Sequence, residues 1–186
     1  MGVTITALSR LQLVDPPCAR PDGYCEDHIE AFAYDCFARA FEGLADADVV
    51  TTTSGGHRFV GGRCYADTDA TQHREILTMP YSGYNRFRAL VCRAAHQIEP
   101  DAFWADPALV AAPFADMINF ADSEGCIGPV AAARLLSDFK APDARPAFLD
   151  ELEDYDPSRR EFLLRGWDGW VAGLALAVDG GMVTFR

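Results

Sequence analysis

Lysine is almost missing from this chain: Lys140 stands alone beside 15 arginines, and alanine occurs 29 times. That bias is the mark of a GC-rich coding sequence and carries no chemistry. Long apolar runs are also missing. No stretch approaches the roughly 18 uninterrupted apolar residues of a spanning helix, so no membrane partner is expected. There is no Asn-x-Ser/Thr acceptor, and Met1-Gly2-Val3-Thr4-Ile5-Thr6 has neither a basic n-region nor an apolar h-region. A cytoplasmic location is therefore expected, and the six cysteines are expected to be reduced. No Cys-x2-Cys pair exists. Cys25-x2-His28, with Cys18 upstream and Cys64 or His73 as remote partners, is the nearest approach to a zinc set, and it is too loosely spaced to predict one. No Gly-x-Ser-x-Gly elbow accompanies His28, His57, His73 or His96. No cofactor motif is present, so none is expected.

What is present is ordinary globular material. The 186 residues are 49% hydrophobic and 24% charged, with a mean hydropathy of -0.03, enough apolar surface to offset chain entropy. The length predicts a single domain spanning 1–186. The formal net charge is -12, and it is unevenly spread. Residues 101–156 hold 12 acids and only Arg134, Lys140 and Arg145 as bases, a net of -9. Such a field repels phosphate backbones and anionic lipids, which argues against nucleic acid, and it favours a basic protein partner. Solubility is the plainer use of the same charge.

The patterning predicts an α+β fold. Val3, Ile5 and Ala7 alternate with polar residues, which makes a strand; Leu11 and Leu13 repeat the alternation. Ile29, Phe32, Cys36, Phe37, Ala40 and Phe41 recur at helical steps, predicting a helix over 27–42. Val49–Thr53, Arg58–Val60, Arg63–Ala66 and Glu75–Met79 read as strands, with Ser54-Gly55-Gly56 as a hairpin turn. They are expected to form a meander beside the N-terminal strand. Further helices are expected over 82–95, with Phe87, Leu90, Val91 and Ala94 inward, and from Gly128-Pro129, with Val130, Ala133, Leu136 and Lys140 or Phe139 inward. Residues 100–121 predict short helical turns. A linker over 141–156 holds a short helix near 148–152. Asp156-Pro157 opens a last long helix to about Val178, on the stripe Leu163, Trp167, Trp170, Val171, Leu174 and Val178. Gly180-Gly181 ends it, and 182–185 is a terminal strand. The expected architecture is a small antiparallel sheet from the N-terminal half, packed with three to five helices that are mostly C-terminal.

Chemistry-bearing residues are sparse. Asp67, Asp69 and His73 could hold a divalent metal or exchange protons, although two carboxylates one residue apart are common in turns. Residues 119–129 superficially echo half of a calcium loop, but Phe120 and Ala131 fall where ligands are needed. The better reading is a tight turn in which Asp122 or Glu124 caps the helix starting at Pro129. A candidate cleft is then formed by Tyr81, Tyr84, Asn85, Arg88, Asn119, Asp122 and Glu124.

Three motifs carry a resemblance: Tyr81-Ser82-Gly83-Tyr84-Asn85-x-Phe87-Arg88; Ile118-Asn119-Phe120 with Glu124-Gly125-x-Ile127-Gly128-Pro129; and Ala177-x-x-Gly180-Gly181-x-Val183-x-Phe185-Arg186. Over residues 80–186 the chain resembles a group of small proteins from bacteria and their phages that has no assigned activity. It departs from them at Ser123, where Cys or Asn is more usual. The resemblance implies no catalytic residue. With no complete catalytic constellation, the preferred reading is a non-enzymatic binding protein, of the immunity or phage anti-defence kind by analogy of size and charge. It would take a basic protein or a small ligand. The alternative is a hydrolase or transferase using carboxylates of the 67–73 or 119–124 loops.

Overall fold

The computed structural model describes residues 2–13, 29–31, 51–52, 58–59, 63–66, 68–119 and 125–185. Strict alternation makes β1 (Gly2–Leu8): Val3, Ile5 and Ala7 are buried while Thr4 and Thr6 are half-exposed. Two short strands and two hairpin arms follow: β2 (Gln12–Leu13), β3 (Ile29–Ala31), β4 (Thr51–Thr52) and β5 (Arg58–Phe59), then β6 (Arg63–Ala66). β7 (His73–Pro80), β8 (Gly125–Ile127) and β9 (Met182–Phe185) complete the strands among the described residues.

The main sheet runs β7-β1-β9-β8 and is antiparallel throughout. Val3 faces Met79 and Ile5 faces Leu77, with a register shift after Ile5; on the other side Ile5 faces Phe185. β1 is thus a central strand with both edges paired.

The fold is α+β, as its patterning predicts, but the sheet differs from the expected one in two ways. Half of it comes from the C-terminal half of the chain, through β8 and β9. The strands between 48 and 66 do not form a meander beside β1: they make separate small ladders, β2-β6-β3 and β4-β5. The β4–β5 pairing, Thr51 with Phe59 and Thr52 with Arg58, is the hairpin that Ser54-Gly55-Gly56 predicts. The helix predicted over 27–42 is corrected at its start, because residues 29–31 are β3 and pair with β6. Strand pairing there overrides the 3.6-residue period. The rest of that helix lies outside the described residues.

Six α-helices occur among the described residues, one more than the upper expectation: α1 (Tyr81–His96), α2 (Pro100–Ala105), α3 (Ala115–Asn119), α4 (Pro129–Phe139), α5 (Ala144–Asp150) and α6 (Pro157–Ala177). A single 3-10 turn, Pro107–Leu109, joins α2 to α3. The N-terminus of α6 is capped as the sequence predicts: an Asp156 carboxylate oxygen accepts from the Arg159 N–H at 3.0 Å and from the Ser158 hydroxyl at 2.6 Å.

α6 lies unusually close to β7. A Cβ at Gly169 would fall 2.6 Å from the Ile76 carbonyl oxygen, and one at Gly173 would fall 2.4 Å from the Ile76 side chain. These glycines let helix backbone approach strand backbone. The indole rings of the helix face an aromatic cluster. Trp167 stands 4.6 Å from Phe139 and 4.7 Å from Phe148, centroid to centroid, and Trp170 stacks on Phe139 at 6.2 Å. Phe139 also sets the rotation of α4. That helix buries Ala131, Ala132, Leu135 and Phe139 and leaves Ala133 and Lys140 exposed, so of the predicted face Phe139 is inward, Ala133 points outward, and Val130 and Leu136 lie at its border. The large ring at 139 wins the core position.

Phe114, just before α3, adopts a left-handed φ of 61°, a strained conformation for a bulky residue. Two things hold it: its ring sits edge-on to Phe139 at 5.0 Å, and its N–H donates to an Asp138 carboxylate oxygen at 2.8 Å. Burial pushes the Asp138 carboxyl above the usual carboxylate range, and neighbouring Asp116 adds to that. An acid whose folded value is raised disfavours the folded state when ionised, and the penalty disappears once pH falls below its unfolded value. Asp138→Asn keeps an acceptor for Phe114 and removes the charge. Urea titrations should find it at least as stable as wild type at about pH 7, with the gap closing by about pH 3. A variant less stable at neutral pH would contradict this account.

Candidate functional site

The proposed cleft begins on α1. Tyr84, Arg88 and Cys92 are spaced at four residues, so one helix face carries all three inward. Tyr84 is fully buried, with its ring 5.7 Å from Phe185. Arg88 is 4% exposed, which makes it the exception among the arginines of this helix. Its Nη1 donates to the Ile118 carbonyl oxygen at 2.6 Å and its Nη2 to Asn85 Oδ1 at 2.9 Å. Its Cζ lies 5.4 Å from the Tyr84 ring centroid and 5.8 Å from that of Trp104, so the guanidinium is packed against two aromatic systems.

Asn119 closes α3 directly after Ile118, and it is 5% exposed. Neither its amide nitrogen nor its amide oxygen has a hydrogen-bond partner, and the same is true of Arg88 Nε and Trp104 Nε1. Among the described residues Arg88 makes no ion pair.

The structure therefore brings Tyr84, Asn85, Arg88 and the Ile118–Asn119 end of α3 together. Tyr81 packs half-buried against the core, without a hydrogen bond or ring contact to Arg88. Asp122 and Glu124 lie outside the described residues, and so does the capping role predicted for them. Trp104 was not among the predicted site residues. Its only sequence signal is the Phe103-Trp104 pair, of which Phe103 takes the fully buried place.

Burial dominates the electrostatics of this face. Burial drives the Tyr84 phenol far above its ordinary range, although Arg88 opposes this. Desolvation pulls the Arg88 guanidinium down, opposed by Tyr84 and Cys92. Burial, followed by Glu99, pushes the Cys92 thiol up to about 11. At neutral pH the phenol and thiol keep their protons, so neither is an activated nucleophile or base.

The 67–73 loop is described from Thr68 onward. Thr68 and Thr71 hold the 68–72 turn: the Thr68 N–H donates to Thr71 Oγ1 at 2.7 Å, and both hydroxyls donate to the Arg10 carbonyl oxygen at 3.3 Å. Asp69 and His73 are exposed there, and Asp67 lies outside the described residues. Among the described residues no three His, Cys, Asp or Glu side chains are grouped to hold a metal ion, and no helix is long and apolar enough to cross a membrane.

The second candidate surface is acidic. Asp143, Asp150, Glu153, Asp154 and Asp156 are exposed, at the start of α5 and in the turn behind it. Among the described residues none of the five is in an ion pair, whereas Glu151 between them is taken by Arg93 at 2.7 Å. The one base in that segment, Arg145, reaches away to Asp168 at 3.4 Å. No protein-family model, curated protein or solved structure matches the chain.

Proposed function

We propose that this is a non-enzymatic binding protein that docks a basic protein partner on the acidic surface of residues 143–156, in the manner of an immunity or anti-defence inhibitor working in the cytoplasm. One observation carries the reading: five exposed carboxylates within fourteen residues, of which only Asp156 has an arginine, Arg159, among its electrostatic neighbours. A surface kept merely soluble has no need to leave its charges of one sign concentrated, because alternating signs serve as well. Concentrated and unpaired, they raise the local density of a cationic partner and speed its encounter. The buried phenol of Tyr84 and thiol of Cys92 keep their protons at neutral pH, which favours this reading over the hydrolase or transferase one.

The test is capture by the immobilised protein from an extract of the cells that make it. The expected result is a stoichiometric, arginine- or lysine-rich partner that is retained at low salt and released by about 0.5 M salt, where screening is short-ranged. Retention of acidic proteins alone, or of a basic one that high salt does not release, would overturn the reading.

A further inference from the structure

The buried cluster around Arg88 has a chemistry of its own, separate from the acidic surface. Three N–H donors face no acceptor: Arg88 Nε, Trp104 Nε1 and the Asn119 amide nitrogen. The guanidinium beside them is 4% exposed and, among the described residues, has no carboxylate in ion-pair distance. Its two satisfied nitrogens serve the Ile118 carbonyl and Asn85, both neutral. A buried cation held only by neutral dipoles and ring faces is costly, and native proteins rarely leave several buried donors idle at one place without a use. Asn119 adds a constraint. Its amide oxygen is idle along with its nitrogen, so turning the amide over leaves the same need for one donor and one acceptor.

We infer that Arg88, Trp104 and Asn119 form a binding site for a small oxyanion that carries an O–H beside its charged oxygen, such as hydrogen phosphate or a short 2-hydroxy carboxylate. The oxyanion oxygens accept from Arg88 Nε, Trp104 Nε1 and the Asn119 amide nitrogen, and the ligand hydroxyl donates to Asn119 Oδ1. The Trp104 and Tyr84 rings keep water from the guanidinium, which strengthens the charge-assisted bonds. A simple carboxylate supplies the charge but leaves Asn119 Oδ1 idle, so it binds more weakly.

The experiment follows the indole N–H resonances of Trp104, Trp167 and Trp170 while sodium phosphate, sodium glycolate or sodium acetate is added at constant ionic strength, with sodium chloride as control. A saturable shift of the Trp104 resonance is expected with phosphate or glycolate and a weaker one with acetate, while the two core indoles stay still. Phosphate alone acting would assign a phosphoryl ligand, and glycolate alone a hydroxy acid; either supports the site. Arg88→Met, which fills the same space without charge, should abolish the response. Trp104→Phe keeps the ring and loses only the N–H. Read by thermal shift, it should weaken binding about tenfold, and it serves if Arg88→Met does not fold. No Trp104 shift with any of the three anions, the same shift with chloride, or an undiminished response in both variants would overturn the inference and show that ordered water alone satisfies the cluster. None of these outcomes bears on the acidic docking surface.

Discussion

Gly181→Ala should come close to unfolding the protein. The added Cβ would sit 1.8 Å from the Leu8 carbonyl oxygen and 2.6 Å from the Ser9 Cα. Both are backbone atoms at the end of β1, and they have no flexible tip that could turn aside. β1 is pinned on its other edge by β7, so relief requires moving a central strand. We expect a loss of more than about 4 kcal/mol, against a typical total stability of about 5–15 kcal/mol. Gly180→Ala is the control. There the nearest atom is 3.9 Å away and the problem is only the left-handed φ of 64°, which should cost about 1–2 kcal/mol. Urea unfolding of the two variants compares them directly. Equal losses would show that the strand end yields more easily than the contact distances imply.

Trp167→Ala should show the second-largest effect. The ring is 2% exposed and touches Phe114, Phe139 and Phe148, so it joins α3, α4 and α5 to α6. Removing it leaves a cavity walled by rigid rings that cannot collapse, with an expected loss of about 3–5 kcal/mol. Trp170→Phe should cost clearly less. The Trp170 indole N–H is buried without a hydrogen-bond partner, so phenylalanine gives up volume but also removes an unpaid donor. A Trp170→Phe variant as damaged as Trp167→Ala would mean that the indole N–H is satisfied after all.

Elements with a strong local period were legible in the sequence. β1 and β9 follow from alternation and β-branched composition, and α1 and α6 from helical spacing, with Asp156-Pro157 marking the entry to α6. What local pattern cannot supply is partner choice. The period over 27–42 is helical, yet residues 29–31 pair with β6. The order β7-β1-β9-β8 depends on contacts across almost the whole chain, such as Ile5 with Phe185. The face of α4 was legible in part: Phe139 was one of the two readings for its last inward place and is buried, whereas Ala133 faces outward, because alanines contribute little to a stripe. In the candidate site Tyr84, Asn85, Arg88 and Asn119 were legible as a group. The burial of Arg88 was implied by its four-residue spacing from Tyr84 and Cys92, but a charged residue argues against burial until its partners are seen. Trp104 was missed because one indole in a Pro- and Ala-rich segment has no period to report.

The most direct measurement of the central claim is the dissociation constant of the captured basic partner for wild type and for the triple variant Asp150→Lys, Glu153→Lys, Asp154→Lys. All three carboxylates are exposed and outside any ion pair, so the variant should melt within a few degrees of wild type, as surface changes away from packed features do. Its affinity should fall by at least about tenfold at physiological salt, mostly through slower association. The difference should shrink as salt is raised. A fully folded triple variant that binds the partner as tightly as wild type would contradict the account.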